Sequence, residues 1–211
     1  MKHHPCNGAG MSQESDRRQQ ILDAAFAEFA AKGFKGATIK SIARAAGLQS
    51  PSLIYWYFPT KEELFQAMLQ ARLHLFQVIS QSAALLDQPP QEVLPQIATA
   101  YLDITNQPEI NTMARLVFSE VVTRPEIADV FATRFIQQIL EFLKTYLNHQ
   151  IDLGHLRPHD TRASARAFIG MMLPQMLSFL LFPSLRSDGL SNETHVATAV
   201  EIFLSGLWPE P

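Results

Sequence analysis

Gly33-Phe34-Lys35-Gly36-Ala37-Thr38-Ile39-Lys40-Ser41-Ile42-Ala43-Arg44-Ala45-Ala46-Gly47-Leu48, followed at residue 55 by Tyr55-Trp56-Tyr57-Phe58-Pro59-Thr60-Lys61-Glu62-Glu63-Leu64-Phe65, is the stretch that decides how this 211-residue chain folds. Its apolar residues recur at helical intervals, and its breaks fall where helix-ending chemistry stands. Gly33 suits the left-handed residue that closes a helix, with Phe34 placed for the accompanying apolar contact. Thr38 offers a side-chain cap to a two-turn helix whose stripe is Ile39, Ile42, Ala43 and Ala46, and Gly47 closes that helix. After the turn Gly47-Leu48-Gln49, Ser50 is a cap and Pro51 a first helical residue, where its missing N–H costs nothing and its φ is already helical. This third helix runs to about Tyr57, and Pro59 breaks it. Thr60-Lys61-Glu62-Glu63 is a capping box that opens a fourth.

The same punctuation extends in both directions. Upstream, Ile21, Leu22, Ala25, Phe26, Phe29 and Ala30 form the stripe of a first helix capped by Ser12 or Ser15, so residues 1–14 are expected to be a disordered leader. Downstream, Leu64, Phe65, Met68, Leu69, Leu75, Phe76 and Ile79 predict one long helix to about Leu86, ended by Asp87-Gln88-Pro89-Pro90. A fifth helix is expected from Val93 or Pro95 to Thr105, a sixth from Glu109 to Val122, and a seventh from Arg124-Pro125 to Gly154. Asp160 caps an eighth, Thr161 to Phe182, and Ser191 a ninth, Asn192 to Leu207. No run alternates as strands do. The fold class is therefore all-α with about nine helices, divided into a three-helix unit over residues 15–60 and a larger unit over 61–211.

The chain is 47% hydrophobic and 18% charged, enough to build a real core. Cys6 is its one cysteine, which excludes an internal disulfide and suits a reducing cytoplasm. The most apolar stretch, Met171 to Phe182, contains Pro174 and Gln175 and is too short to span a bilayer, so no membrane partner is expected. The net charge of −3 hides an uneven distribution. Lys32, Lys35, Lys40, Arg44 and Lys61 stand in a stretch without one acidic residue, whereas Phe65 to the end carries nine basic against fourteen acidic residues. The basic stretch is suited to phosphate.

Two short helices joined by a glycine-containing turn match a helix-turn-helix, which sets its second helix in the major groove of DNA. The two segments quoted above closely resemble the DNA-binding region of the TetR family, and by motif the resemblance covers about residues 17 to 70. Between Gly47 and the Tyr-x-Tyr-Phe element this sequence is one residue longer than the commonest family pattern, and the turn is expected to absorb it. The resemblance implies that Thr38, Lys40 and Lys61 touch the DNA backbone, while Ser50, Pro51, Ser52, Tyr55, Trp56 and Tyr57 face the groove. Chemically, tyrosine hydroxyls donate to phosphate oxygens, and Pro51 or a ring edge packs on a thymine methyl. Helical spacing assigns Leu53, Ile54 and Phe58 to the core instead.

The eighth helix is apolar on more than one face, which calls for a partner beyond its own core. Resemblance to the family implies a homodimer paired through the last two long helices, with Phe168, Phe179 and Phe203 as interface candidates and a palindromic operator as the DNA partner. Pro174 should bend this helix beside Gln175 and adaptable methionines. Met172, Gln175 and Met176, with Phe76, Tyr101, Met113 and Phe118, are the candidates for lining a cavity that takes a small hydrophobic effector. The function implied is a ligand-responsive regulator, a repressor released by its effector. The alternative is a helical carrier without operator specificity, which leaves the Lys32–Lys61 pattern unexplained. No catalytic motif appears and no cofactor is expected. His149, His155 and His159 straddle Gly154 and Pro158, so they share no helix face as a metal site requires.

Overall fold

A computed structural model describes the backbone of residues 8–123 and 132–209. Every regular element among its described residues is a helix and none is a strand, and the chain divides into two compact units, one ending at Ala71 and one beginning at Arg72.

The first unit holds α1 (Gly8–Gly36), α2 (Ile39–Ala45), α3 (Ser52–Tyr57) and α4 (Lys61–Arg72). Ile21, Leu22, Ala25, Phe26 and Phe29 are buried along one face of α1, as their spacing predicts. Gly33 breaks the helical path with φ 69°, a conformation costly for a residue with a Cβ. The next residue, Phe34, then folds back into an aromatic cluster, its ring centroid 5.7 Å from Phe29 and 5.2 Å from Phe65. Thr38 caps α2: its Oγ1 accepts from the Ser41 amide at 3.0 Å, and Ser41 Oγ accepts in return from the Thr38 amide at 3.1 Å. Gly47, at φ 62°, turns the chain so that the Leu48 amide donates back to Ala43 at 2.9 Å.

α1 begins at Gly8, earlier than the expected leader boundary at residue 14. Residues 13–20 are all exposed, so this first part of the helix is held by its own ladder and by local pairs such as Gln19 with Asp23, 2.8 Å. The leader residues before Gly8 lie outside the described chain.

The second unit contains α5 (His74–Ser80), α6 (Ser82–Leu85), α7 (Pro90–Leu102), α8 (Pro108–Thr123), α9 (Gln137–Asp152), α10 (Thr161–Leu180) and α11 (Asn192–Ser205), with short turns of tighter or wider helix at Asp103–Asn106, Ala132–Ile136 and Pro183–Asp188. α7 and α10 form its centre: α10 packs on α7, α8, α9 and α11, and α7 also packs on α5 and α11. Val93, Leu94 and Ile97 of α7 and Phe168 and Met172 of α10 are completely buried, each contributing about 1.5–3 kcal/mol through the apolar surface removed from water.

The single long fourth helix is not what forms. Leu73 is extended, with ψ 117°, and separates α4 from α5; a further turn at Gln81 separates α6. The apolar spacing runs unbroken across Leu73, so local sequence carries no stop signal there. A tertiary bond holds the start of α5 instead, His74 Nδ1 lying 2.6 Å from Asp103 Oδ2. Pro89-Pro90 begins α7 rather than merely ending its predecessor, because Pro89 is extended and Pro90 takes the first-turn position open to proline. The carbonyls exposed by the preceding break are taken up by α9: Gln150 Nε2 donates to Leu86 at 2.7 Å, and Tyr146 Oη to Gln88 at 2.8 Å. The proposed start of the seventh helix, Arg124-Pro125, lies outside the described residues. Asp160 and Ser191 cap α10 and α11 as expected, accepting from Ala163 at 3.2 Å and Thr194 at 3.1 Å. Hydrogen bonding by Arg162, followed by the Ala163 amide, holds the Asp160 carboxyl below its usual range.

Candidate nucleic-acid interface

α3 is anchored by an i, i+4 pair, Ile54 and Phe58, both buried. Six residues make little more than one and a half turns, so that pair leaves most of the helix outside. Ser50, Pro51 and Ser52 are exposed, as are Tyr55 at 51% and Trp56 at 67%. Ser50 does the work expected of a cap: its Oγ accepts from the Ser52 amide at 3.2 Å and donates to Ser52 Oγ at 3.1 Å, and Pro51 takes helical φ −59°. Leu53, assigned to the core by spacing, is 39% exposed and belongs to the outer face. The helix is too short for a second buried stripe.

The rings on α3 are ordered from inside to outside. Phe58 is buried with the Arg18 guanidinium 5.2 Å above its ring; Tyr57, half-buried, tilts against Phe58 at 6.4 Å; Trp56 meets Tyr57 edge-on at 4.7 Å. An exposed indole is thereby held by a chain of contacts that ends in the core.

Flanking charges differ in their availability. Lys32 forms an ion pair with Glu28 at 2.6 Å, and this bond is the largest cause holding the Glu28 carboxyl below its ordinary range. Lys40 is exposed on α2, and Thr38 is exposed while occupied as a cap. Arg44, part of the basic stretch, is exposed in the last turn of α2 and is a further cation on this surface beyond the expected contacts. Lys61 opens α4 with its Nζ 4.5 Å from the Phe34 ring centroid, so the ammonium is held against the aromatic cluster. At that terminus Thr60 Oγ1 accepts from the Glu63 amide at 3.1 Å. A cation and a helix N-terminus together favour a phosphate.

In the second unit, Phe76, Met113, Met172, Gln175 and Met176 are buried and Tyr101 and Phe118 partly so. They stand on α5, α7, α8 and α10, which pack in the combinations already described. Burial pushes the Tyr101 phenol up to about 12. Gln175 belongs to a polar network: its Nε2 donates to the Leu190 carbonyl at 3.2 Å and to Asn192 Oδ1 at 3.0 Å, and Asn192 Nδ2 donates to Thr105 Oγ1 at 2.8 Å. This chain of bonds ties α10, the start of α11 and the turn after α7 into one network. A surface cleft of 510 Å³ in this unit is lined by Ile151, Gly154, Leu156, Arg157, Pro158 and Pro209 and includes none of the effector candidates. Among the described residues there is no cluster of metal-ligating side chains, and His149, His155 and His159 bond separately to Asp87, Gln150 and the Arg157 carbonyl. No helix among them is long and apolar enough to cross a membrane.

A family model described as the C-terminal domain of AefR-like transcriptional repressors matches residues 92–206. A second, described as bacterial regulatory proteins of the tetR family, matches residues 21–68. The chain belongs to the TetR family. It is thus a DNA-binding transcriptional regulator, and α2 and α3 are its helix-turn-helix. The transcriptional regulator SrpR of Pseudomonas putida is 24% identical over 202 residues, covering 93% of this chain and 86% of its own. A TetR-family structure from Mesorhizobium loti superposes with TM-score 0.70 at 22% identity, covering 92% of this chain and 98% of its own. SmeT, the repressor of a multidrug efflux pump in Stenotrophomonas maltophilia, in complex with triclosan, superposes with TM-score 0.69 at 20% identity over 93% of this chain and 98% of its own. These two likenesses show the fold.

The interface candidates of this TetR-family chain differ in their burial within the protomer. Phe168 and Phe203 are buried inside the protomer, their rings 5.0 Å apart where α10 and α11 meet. Large apolar side chains pair across the helices of their own unit first, and periodicity cannot tell that contact from one across a dimer. Phe179 is half-buried under the Arg186 guanidinium, 5.0 Å from its ring. The apolar side chains that these helices turn outward are Leu173, 39% exposed, and Ile202, 61% exposed.

Proposed function

We propose that this regulator is a cytoplasmic repressor that binds palindromic operator DNA as a homodimer and is released by a small hydrophobic effector. The observation that carries the DNA reading is the outward aromatic face of α3 between Lys40 on α2 and Lys61 on α4. Thr38, Lys40 and Lys61 contact the phosphate backbone, while Ser50, Pro51, Ser52, Tyr55, Trp56 and Tyr57 face the groove. Leu173 and Ile202 replace Phe168 and Phe203 at the seam between protomers, beside Phe179.

Similarity to a repressor held in complex with triclosan supports an apolar effector, as do the buried aromatic and methionine side chains of α5, α8 and α10. Phe76, Tyr101, Met113, Phe118, Met172 and Met176 line its site. Gln175 acts beside it, through the network to Asn192 and Thr105. Effector binding favours a dimer whose two reading helices no longer match successive major grooves, and a coupling of about 1–3 kcal/mol is sufficient.

Selection of bound duplexes from a random pool at physiological salt, followed by titration of the selected complex with triclosan and a panel of other hydrophobic compounds, tests this reading. Enrichment of one palindrome and its release by a member of the panel are expected. Weak, unselective binding at every salt concentration would move the assignment to a carrier without operator specificity.

A further inference from the structure

We infer that this protein reads its operator chiefly through thymine methyl groups, with Trp56 as the specificity-determining side chain. The inference rests on the DNA-binding reading and adds the chemistry by which bases are told apart.

Side chains that discriminate bases by paired hydrogen bonds are arginine, lysine, asparagine and glutamine, with aspartate and glutamate accepting from cytosine. From Ala45 to Thr60 the sequence has none of these except Gln49, which lies in the turn before α3. The outer face of α3 instead presents Pro51, Leu53, Tyr55 and Trp56 with two serines. Ser50 and Ser52 are engaged with each other at 3.1 Å, and Ser50 also receives the Ser52 amide. With the Tyr55 hydroxyl given to phosphate, what this face offers to base edges is mainly apolar surface, that of Pro51, Leu53 and the rings of Tyr55 and Trp56. In the major groove the apolar feature is the C5-methyl of thymine.

Trp56 is built for that contact. It is the most exposed large side chain of the helix, yet it is not loose, since the edge-on contact with Tyr57 at 4.7 Å continues through Phe58 to the core. Holding a large flat group in place before DNA arrives reduces the ordering cost of binding. Because the indole lies outside the core, its removal leaves the fold intact, and binding and folding can be measured apart.

The test uses the full-length protein and the duplex selected from the random pool, resynthesised with deoxyuridine at each thymidine in turn; this deletes one methyl and leaves every hydrogen-bonding group. At one or more positions in each half-site the wild type should lose affinity about four-fold, the equivalent of one apolar carbon left in water. Trp56→Ala should bind more weakly and no longer distinguish thymidine from deoxyuridine at those positions, with an unchanged melting temperature. Equal affinity of the wild type for all the substituted duplexes overturns the inference while leaving operator binding intact. A loss that is the same in wild type and Trp56→Ala removes the role from this residue. A pool that enriches no sequence overturns the DNA-binding reading and this inference with it.

Discussion

α3 and α10 carry candidate functional residues on opposite structural terms. In α3, Ile54 and Phe58 hold the helix while Tyr55 and Trp56 stand outside, so the residues that would meet DNA bear little of the folding energy. In α10, Phe168, Met172, Gln175 and Met176 are candidates for partner or effector and at the same time part of the core. A reading surface can therefore change its specificity at small cost to stability, whereas an effector site in the second unit changes only with the packing around it. The difference also explains why spacing succeeds in one place and fails in the other. On a short exposed helix it separates inside from outside, but on a helix surrounded by others nearly every face is inside.

The largest effect is expected from Phe168→Ala, which should cost about 3–5 kcal/mol because a fully buried ring leaves a cavity beside Phe203. Urea unfolding at fixed protomer concentration measures it. A stable variant that has merely become monomeric would restore Phe168 to the dimer seam and break the contrast. Gln175→Leu should cost about 0.5–1.5 kcal/mol by removing the bonds that tie buried Gln175 to the Leu190 carbonyl and to Asn192. Unchanged stability with altered effector response would make Gln175 a ligand contact instead of a strut.

Smaller effects sharpen the other side of the comparison. Lys61→Ala should weaken binding to selected and unselected duplexes alike and lower the slope of log affinity against log salt by about 1, as loss of a phosphate contact does. A loss confined to the selected sequence would place Lys61 at a base. Tyr55→Ala should fall within about 0.5 kcal/mol of wild-type stability while changing the selected site. A marked drop in melting temperature would show that the outer face of α3 supports the fold after all.

The smallest effect concerns pH. With the Tyr101 phenol raised to about 12, the folded state keeps a proton that the unfolded chain loses near its ordinary value of 10. Its contribution is therefore fully present below about pH 10 and is lost as the pH rises towards 12. Tyr101→Phe should flatten that part of the alkaline stability curve, and an unchanged curve would mean that the phenol is hydrated.

The helix-turn-helix was legible almost residue by residue. Gly33, Thr38, Gly47, Ser50, Pro51 and Thr60 act through neighbours two to five positions away, and such interactions are written in order along the chain. Leu53 escaped because its exposure depends on how α3 lies across the unit. In the second unit the caps at Asp160 and Ser191 were equally local and equally legible. The break at Leu73 was not, since His74 meets Asp103 from twenty-nine positions away.

By itself, the sequence determined the helical class, most helix ends and the reading head of a TetR-family regulator, because helix periodicity, capping and turn chemistry are short-range. Only the tertiary structure decided that Phe168 faces Phe203, that Gln175 is tied to Asn192, and that Trp56 is outside and braced by Tyr57. Those outcomes depend on which helices meet, and the pattern of one helix states that a face is apolar without stating what covers it.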